Sequence, residues 1–213
     1  MIPVKRPAEP DDFDARVRRP GKKWLKSGSK ARPPSYWLEV RDELAEAFFN
    51  RCGYTAMWDL NGTVDHFSAQ NRDRSNLYEW GNLRYASQWI NSSKKAKTGF
   101  LDPYDVEDGW FEVLLPSLQL VATSEVPESK RTLVETTLSE LPIAHDERVI
   151  RQRRAWLEAY ERGEITVDGL RTFAPLLAAA IAKRDALEGP ATPSKRKPQK
   201  KTKAAPKKRT SRR

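Results

Sequence analysis

From Tyr36 to Cys52 the apolar residues Trp37, Val40, Leu44 and Phe48 recur at three- and four-residue spacing with charges between them. That spacing predicts an amphipathic helix packed on a core. After Cys52-Gly53 the period changes to two. Tyr54, Ala56, Trp58 and Leu60 take alternate positions, Asn61-Gly62 follows, and Thr63-Val64-Asp65-His66-Phe67 is β-prone, so a β-hairpin turning at Asn-Gly is expected over 54–67. Beyond a polar loop at 68–76, residues 78–91 read as a turn and then a helix. It begins near Asn82 and continues through Lys97 until Gly99 stops it. Residues 101–121 predict a loop and two short strands, around Trp110–Leu114 and Leu118–Val121. Helices are expected at about 128–141, 146–162 and 167–187, the last two joined by Arg162-Gly163.

The two ends differ from this middle. Residues 1–35 place Pro3, Pro7, Pro10, Pro20, Pro33 and Pro34 among charged residues, which predicts an extended arm docking on the body. From Pro190 onward the chain is Lys-, Pro-, Ala-, Ser- and Thr-rich and cannot bury enough surface to fold alone. The expected organisation is an arm at 1–35, a core with flanking helix and strands at 36–125, a helical part at 126–188 and a disordered basic tail at 189–213. The fold class is α+β, with a small ββα unit embedded in a mainly helical domain.

Charge sharpens this division. The formal net charge is +10, and Pro190–Arg213 carries eleven Lys and Arg without an acid, so the remainder carries 10 − 11 = −1. Lys195, Arg196, Lys197, Lys200, Lys201, Lys203, Lys207, Lys208 and Arg209 are therefore expected to bind nucleic acid by releasing its counterions. Residues 1–32 are also basic, with ten Lys and Arg against four acids. The single cysteine, Cys52, excludes an intramolecular disulfide, suits a reducing compartment and reads as a small buried residue. The first residues lack the apolar stretch of a signal peptide, and the longest apolar run, Phe173–Ala182, is half a bilayer span. A cytoplasmic protein with no membrane partner is expected.

The segments VDHF, YEWGNL and INSSK carry candidate chemistry. An Asp-His pair on a strand, Asn82 sixteen residues after the His and Asn91 nine later on a helix can converge on one point. His66, with an unperturbed pKa near ~6.5, suits a general base. Asp65 and Asn91 offer hard oxygen ligands for one Mg²⁺ or Mn²⁺. Asn82 would hold the loop and orient His66 by hydrogen bonding. Lys94, one turn after Asn91, and Arg84 are candidates for phosphate contacts. A base and a cation are what phosphodiester hydrolysis requires. Residues 65 and 66 point oppositely in a regular strand, so a bend is needed for both to serve one site. Read alone, an Asp-His pair is a hydrogen-bonded surface histidine. His145 reads as a cap or surface residue, and Trp37, Trp80, Trp89, Trp110 and Trp156 as core or interface.

Asp65-His66, Asn82 and Asn91-x-x-Lys94 resemble the HNH nuclease motif, with Asn91 at its third position. MIPVKRPAEPDDFDARVRRPGKKWL, VDHF, YEWGNLRYA, NSSK and LDPYDVEDGWF resemble a bacterial HNH endonuclease subfamily of similar length, over most of residues 1–185. The resemblance implies a ββα-metal core, cleavage of DNA, most naturally double-stranded, a role in antiphage defence and an ATPase partner. Many HNH proteins add a zinc held by two Cys-x-x-Cys pairs. Here those places read Cys52-Gly53-Tyr54-Thr55 and Ser87-Gln88-Trp89-Ile90, so no structural zinc is expected and Trp58 and Trp89 must brace the hairpin. Two rivals stay open, a non-catalytic nucleic-acid-binding adaptor and an RNase on the same fold. The intact Asp65-His66-Asn91 set argues against the adaptor.

Overall fold

The computed structural model describes residues 1–69 and 74–189. Among the described residues the architecture is α+β, with seven α-helices and two antiparallel two-stranded sheets. The arm is not extended throughout. It winds as a π-helix over Asp14–Arg18 and continues as α1 (Arg19–Lys26), with Pro20 just after the change from one helix type to the other. Phe13, Val17 and Gly21, spaced by four, form the docking face. Phe13 meets Trp80 edge-on with ring centroids 5.5 Å apart, and Gly21 lies against the Tyr78 ring, where an added Cβ would fall 2.2 Å from Cγ.

The helix expected from Tyr36 opens as a 3-10 turn over Tyr36–Val40 and becomes α2 over Arg41–Ala47. Its predicted apolar stripe is the buried one, since Trp37, Val40, Leu44 and Phe48 all lie in the core. The expected hairpin does not form. β1 (Thr63–His66) pairs instead with β2 (Leu83–Ala86), sixteen residues further on, in the register Val64↔Tyr85 and Asp65↔Arg84. Residues 52–57 close into a tight turn: Cys52 N–H donates to Met57 O at 2.9 Å, Ala56 N–H donates to Cys52 O at 2.8 Å, and Ala56 has a φ of 56°. Asn61-Gly62 is still a turn, held by Asp59 Oδ1 on Asn61 N–H and by the Tyr85 hydroxyl on Gly62 N–H. It steers the chain onto β2 rather than back on itself.

Because β2 occupies 83–86, the helix expected from Asn82 starts later. It is α3 (Gln88–Lys94), and Lys95 ends it with a φ of 50°. The predicted second pair of strands forms as β3 (Phe111–Leu114) with β4 (Gln119–Ala122). Then come α4 (Glu128–Glu140), α5 (Glu147–Glu161), α6 (Val167–Phe173) and α7 (Pro175–Glu188). The single helix expected at 167–187 is split before Pro175, which cannot continue a helix but can start one.

Strand alternation places the β1–β2 ribbon between two cores. Val64, Leu83 and Tyr85 face the arm, α2 and Trp80, while Ala86 joins Tyr54, Ile90, the second ribbon and the C-terminal helices. Trp58 and Trp89 tie this second core to the C-terminal part: Trp58 packs on Phe173 at 5.5 Å, and Arg148 stacks on Trp89 at 4.4 Å. Trp37, Trp80 and Trp110 are buried, as is Cys52. His145 is exposed, and it is Asp146 that caps α5 by accepting from Arg148 N–H. Among the described residues no helix is long and apolar enough to cross a membrane.

Candidate functional site

β1 ends in Asp65-His66, and both keep regular pairing, opposite Arg84 and Leu83. The bend expected there does not occur, and the two side chains meet different partners. Asp65 is only 2% exposed. Its Oδ2 accepts from the Tyr54 hydroxyl at 2.7 Å and its Oδ1 from Lys94 Nζ at 3.1 Å. Burial, reinforced by the adjacent carboxylate, pushes the Tyr54 phenol well above its ordinary pKa, so it stays a donor.

α3 supplies the other side of this cluster. Asn91 Nδ2 donates to Val64 O at 3.2 Å, which sets its amide against β1 one residue before Asp65. One turn on, Lys94 sends its ammonium to Asp65 Oδ1, His66 O at 2.7 Å and Phe67 O at 3.1 Å, using all three hydrogens. Lys94 is 1% exposed. The expectation that it touches a flanking phosphate is thus corrected: it neutralises Asp65 and pins the end of β1. The same correction applies to Arg84, also 1% exposed. Its Nε and Nη2 fork onto the Asp102 carboxylate, Nη1 donates to Gly81 O and Leu83 O, and its plane lies 4.0 Å from the Tyr104 ring centroid. A guanidinium paired in this bidentate way is a brace between β2 and the 102–104 turn.

His66 faces the opposite core. Its ring meets Trp37 edge-on at 4.6 Å, and Nε2 lies 2.9 Å from Leu77 O. A carbonyl only accepts, so Nε2 carries the proton and Nδ1 is the basic nitrogen of the neutral ring. Burial lowers the His66 pKa to about 4, outweighing the Leu77 hydrogen bond and the nearby Asp65 charge, so the ring is neutral at cellular pH. Asn82 acts on the same loop. Its Oδ1 accepts from Ser68 N–H at 2.7 Å, and Nδ2 donates to Ser68 O and Asn76 O, both at 3.1 Å. The amide therefore ties Ser68 to Asn76.

No protein-family model matches the chain, and no curated protein matches its sequence. The site's description thus rests on its own geometry. Asp65, Asn91 and Lys94 come together on one face of the ribbon, while His66 and the Asn82 clasp lie on the other. Arg84 lies beside them as a structural ion pair. Tyr54, Leu77 O and Asp102 are partners that sequence patterning missed. Tyr54 sat in a false strand alternation, a backbone carbonyl leaves no sequence signal, and Asp102 is visible only as the cap of the turn at Pro103. The tail residues Lys195, Arg196, Lys197, Lys200, Lys201, Lys203, Lys207, Lys208 and Arg209, and the loop residues 70–73, lie outside the described residues.

Proposed function

We propose that this chain is an HNH-type endonuclease that hydrolyses phosphodiester bonds in DNA with the help of one divalent cation. The observation that carries the reading is the order strand, strand, helix, in which α3 sets Asn91 and Lys94 against the strand end that bears Asp65 and His66. Asn82 clasps the intervening loop. His66 Nδ1 is the base assigned to the attacking water, with Leu77 O holding the tautomer that leaves that nitrogen basic. Because β1 is regular at Asp65-His66, its use with an ion on Asp65 requires that strand end to bend on binding. The donor types fit Mg²⁺ or Mn²⁺. Each Asp65 oxygen accepts one hydrogen bond and retains a second lone pair, and the Asn91 amide that donates to Val64 O keeps its own oxygen as an acceptor. Asp65 and Asn91 would hold the ion, whose chemistry is to neutralise charge building on the phosphate. Lys94 balances Asp65 and fixes the backbone of His66. The basic tail adds sequence-independent affinity for DNA, and the setting is defence against foreign DNA beside an ATPase partner.

A second reading has one observation in its favour: Asp65 and His66 are 2% and 5% exposed, as suits a protein that binds nucleic acid on this frame without cutting it. Incubating the full chain with supercoiled plasmid and Mg²⁺ or Mn²⁺ separates the two. Metal-dependent nicking that chelator abolishes is expected. Binding without cutting at any metal concentration would leave the adaptor, and cleavage confined to RNA would make the chain an RNase.

A further inference from the structure

We infer that the arm is a docking surface for the phosphate backbone of duplex DNA, formed by the end of α1, the loop that follows it and Arg74. The inference rests on the proposed function only for the identity of the polyanion. Residues 15–38 contain eight Lys and Arg and no acid. Four of them are engaged within the fold: Arg16 with Asp12 and Glu43, Arg18 with Glu9 and Glu79, Arg19 with Asp14 and Lys22 with Glu79. The other four, Lys23, Lys26, Lys30 and Arg32, are exposed and form no ion pair with any described residue.

The helix dipole accounts for two of these, because Lys23 and Lys26 stand in the last turn of α1, where cations offset the negative helix end. It does not account for Lys30, Arg32 or Arg74. Lys30 and Arg74 both line an open cleft of about 450 Å³, together with Leu25, Gly28, Ser29 and Ser75. The Arg74 guanidinium stands 5.9 Å from the Trp24 ring centroid in a cation–π contact, and among the described residues it pairs with no acid. Cations that line a cleft and pair with no carboxylate among the described residues suit a row of phosphates, whose counterions they displace.

The cleft also adjoins the candidate chemistry. Arg74 precedes by three residues the Leu77 carbonyl that meets His66 at 2.9 Å, so their Cα atoms are at most about 11 Å apart. A duplex seated on Lys26, Lys30 and Arg74 therefore runs past the loop that orients His66. Binding of full-length protein to a fluorescent DNA duplex, measured in chelator at several salt concentrations, tests this without requiring cleavage. Lys26→Gln/Lys30→Gln/Arg74→Gln should reduce the slope of log affinity against log salt by about 3, at about 0.9 per phosphate contact. Lys183→Gln, which removes an exposed lysine of α7 paired with Glu112, should leave the slope unchanged. An unchanged slope in the triple variant, an equal loss per charge in Lys183→Gln, or a loss seen on RNA alone overturns the surface. A chain that shows the arm dependence yet never nicks plasmid retains the surface and loses the nuclease reading. One that nicks plasmid with an arm-independent slope does the reverse.

Discussion

Lys94 is the residue whose burial most changes the chemistry around it. An ammonium and a carboxylate taken out of water together are tolerable only while paired, and here two backbone carbonyls take the remaining ammonium hydrogens. Removing one partner strands the other, so Lys94→Met should cost about 3–5 kcal/mol of stability. Asp65→Asn/Lys94→Met should lose less than the two single variants together, by about 1–3 kcal/mol, in urea unfolding. Strict additivity would mean that Lys94 is not there for Asp65. His66 makes a separate prediction. Its pKa is near ~6.5 in the unfolded chain and about 4 in the fold, so between those values the unfolded state binds the proton and the fold does not. The histidine's contribution is fully present above pH 6.5 and is lost as pH falls toward 4, by about 3 kcal/mol. Urea midpoints of the wild type and His66→Asn should diverge in relative stability across that window. Parallel pH profiles would contradict the burial of a neutral ring.

Among the elements, those fixed by local rules were legible and those fixed by distant pairing were not. The stripe Trp37, Val40, Leu44 and Phe48 identified a buried face because helical period is a local property. Period two at Tyr54, Ala56, Trp58 and Leu60 misled: Tyr54 and Ala56 are buried, Leu60 is 59% exposed, and the stretch is turns around a single bridge from Trp58 to Arg51. β2 escaped notice because Leu-Arg-Tyr-Ala has no strong strand preference, and pairing with β1 across sixteen residues decides its state. Asp65, His66, Asn82 and Asn91 stood out as candidates by type and spacing, but not their division between the two faces of the ribbon, which strand alternation decides. The roles of Lys94 and Arg84 were not, since a cation's burial depends on acids from other elements. The arm helix was hidden by prolines, yet Phe13, Val17 and Gly21 carried its period. Gly21→Ala decides whether that docking matters. An open helix would gain about 1 kcal/mol from alanine, whereas a Cβ placed 2.2 Å from the Tyr78 ring should cost about 1–3 kcal/mol and expose the arm to protease. A stabilised variant would mean the arm is not packed against Tyr78.

Across the whole molecule, a narrow β1–β2 ribbon divides two cores and carries the candidate chemistry at its end, with Val4, Phe13 and Val17 of the arm on one side and Met1 with the C-terminal helices on the other. On the proposed nuclease reading, DNA approaches this frame from the loop side, past Leu77 and Arg74. The charge distribution agrees with that approach, since residues outside 190–213 sum to −1 while five cations of the arm, Lys5, Lys23, Lys26, Lys30 and Arg32, form no ion pair with any described residue. The nuclease reading therefore turns on one side chain. Nicking of supercoiled plasmid in Mn²⁺, at saturating protein, should be slower by about 10²–10⁴ in His66→Ala than in the wild type, the scale of losing a general base, with DNA affinity in chelator unchanged. Equal nicking rates for the two proteins, at equal binding, would contradict it.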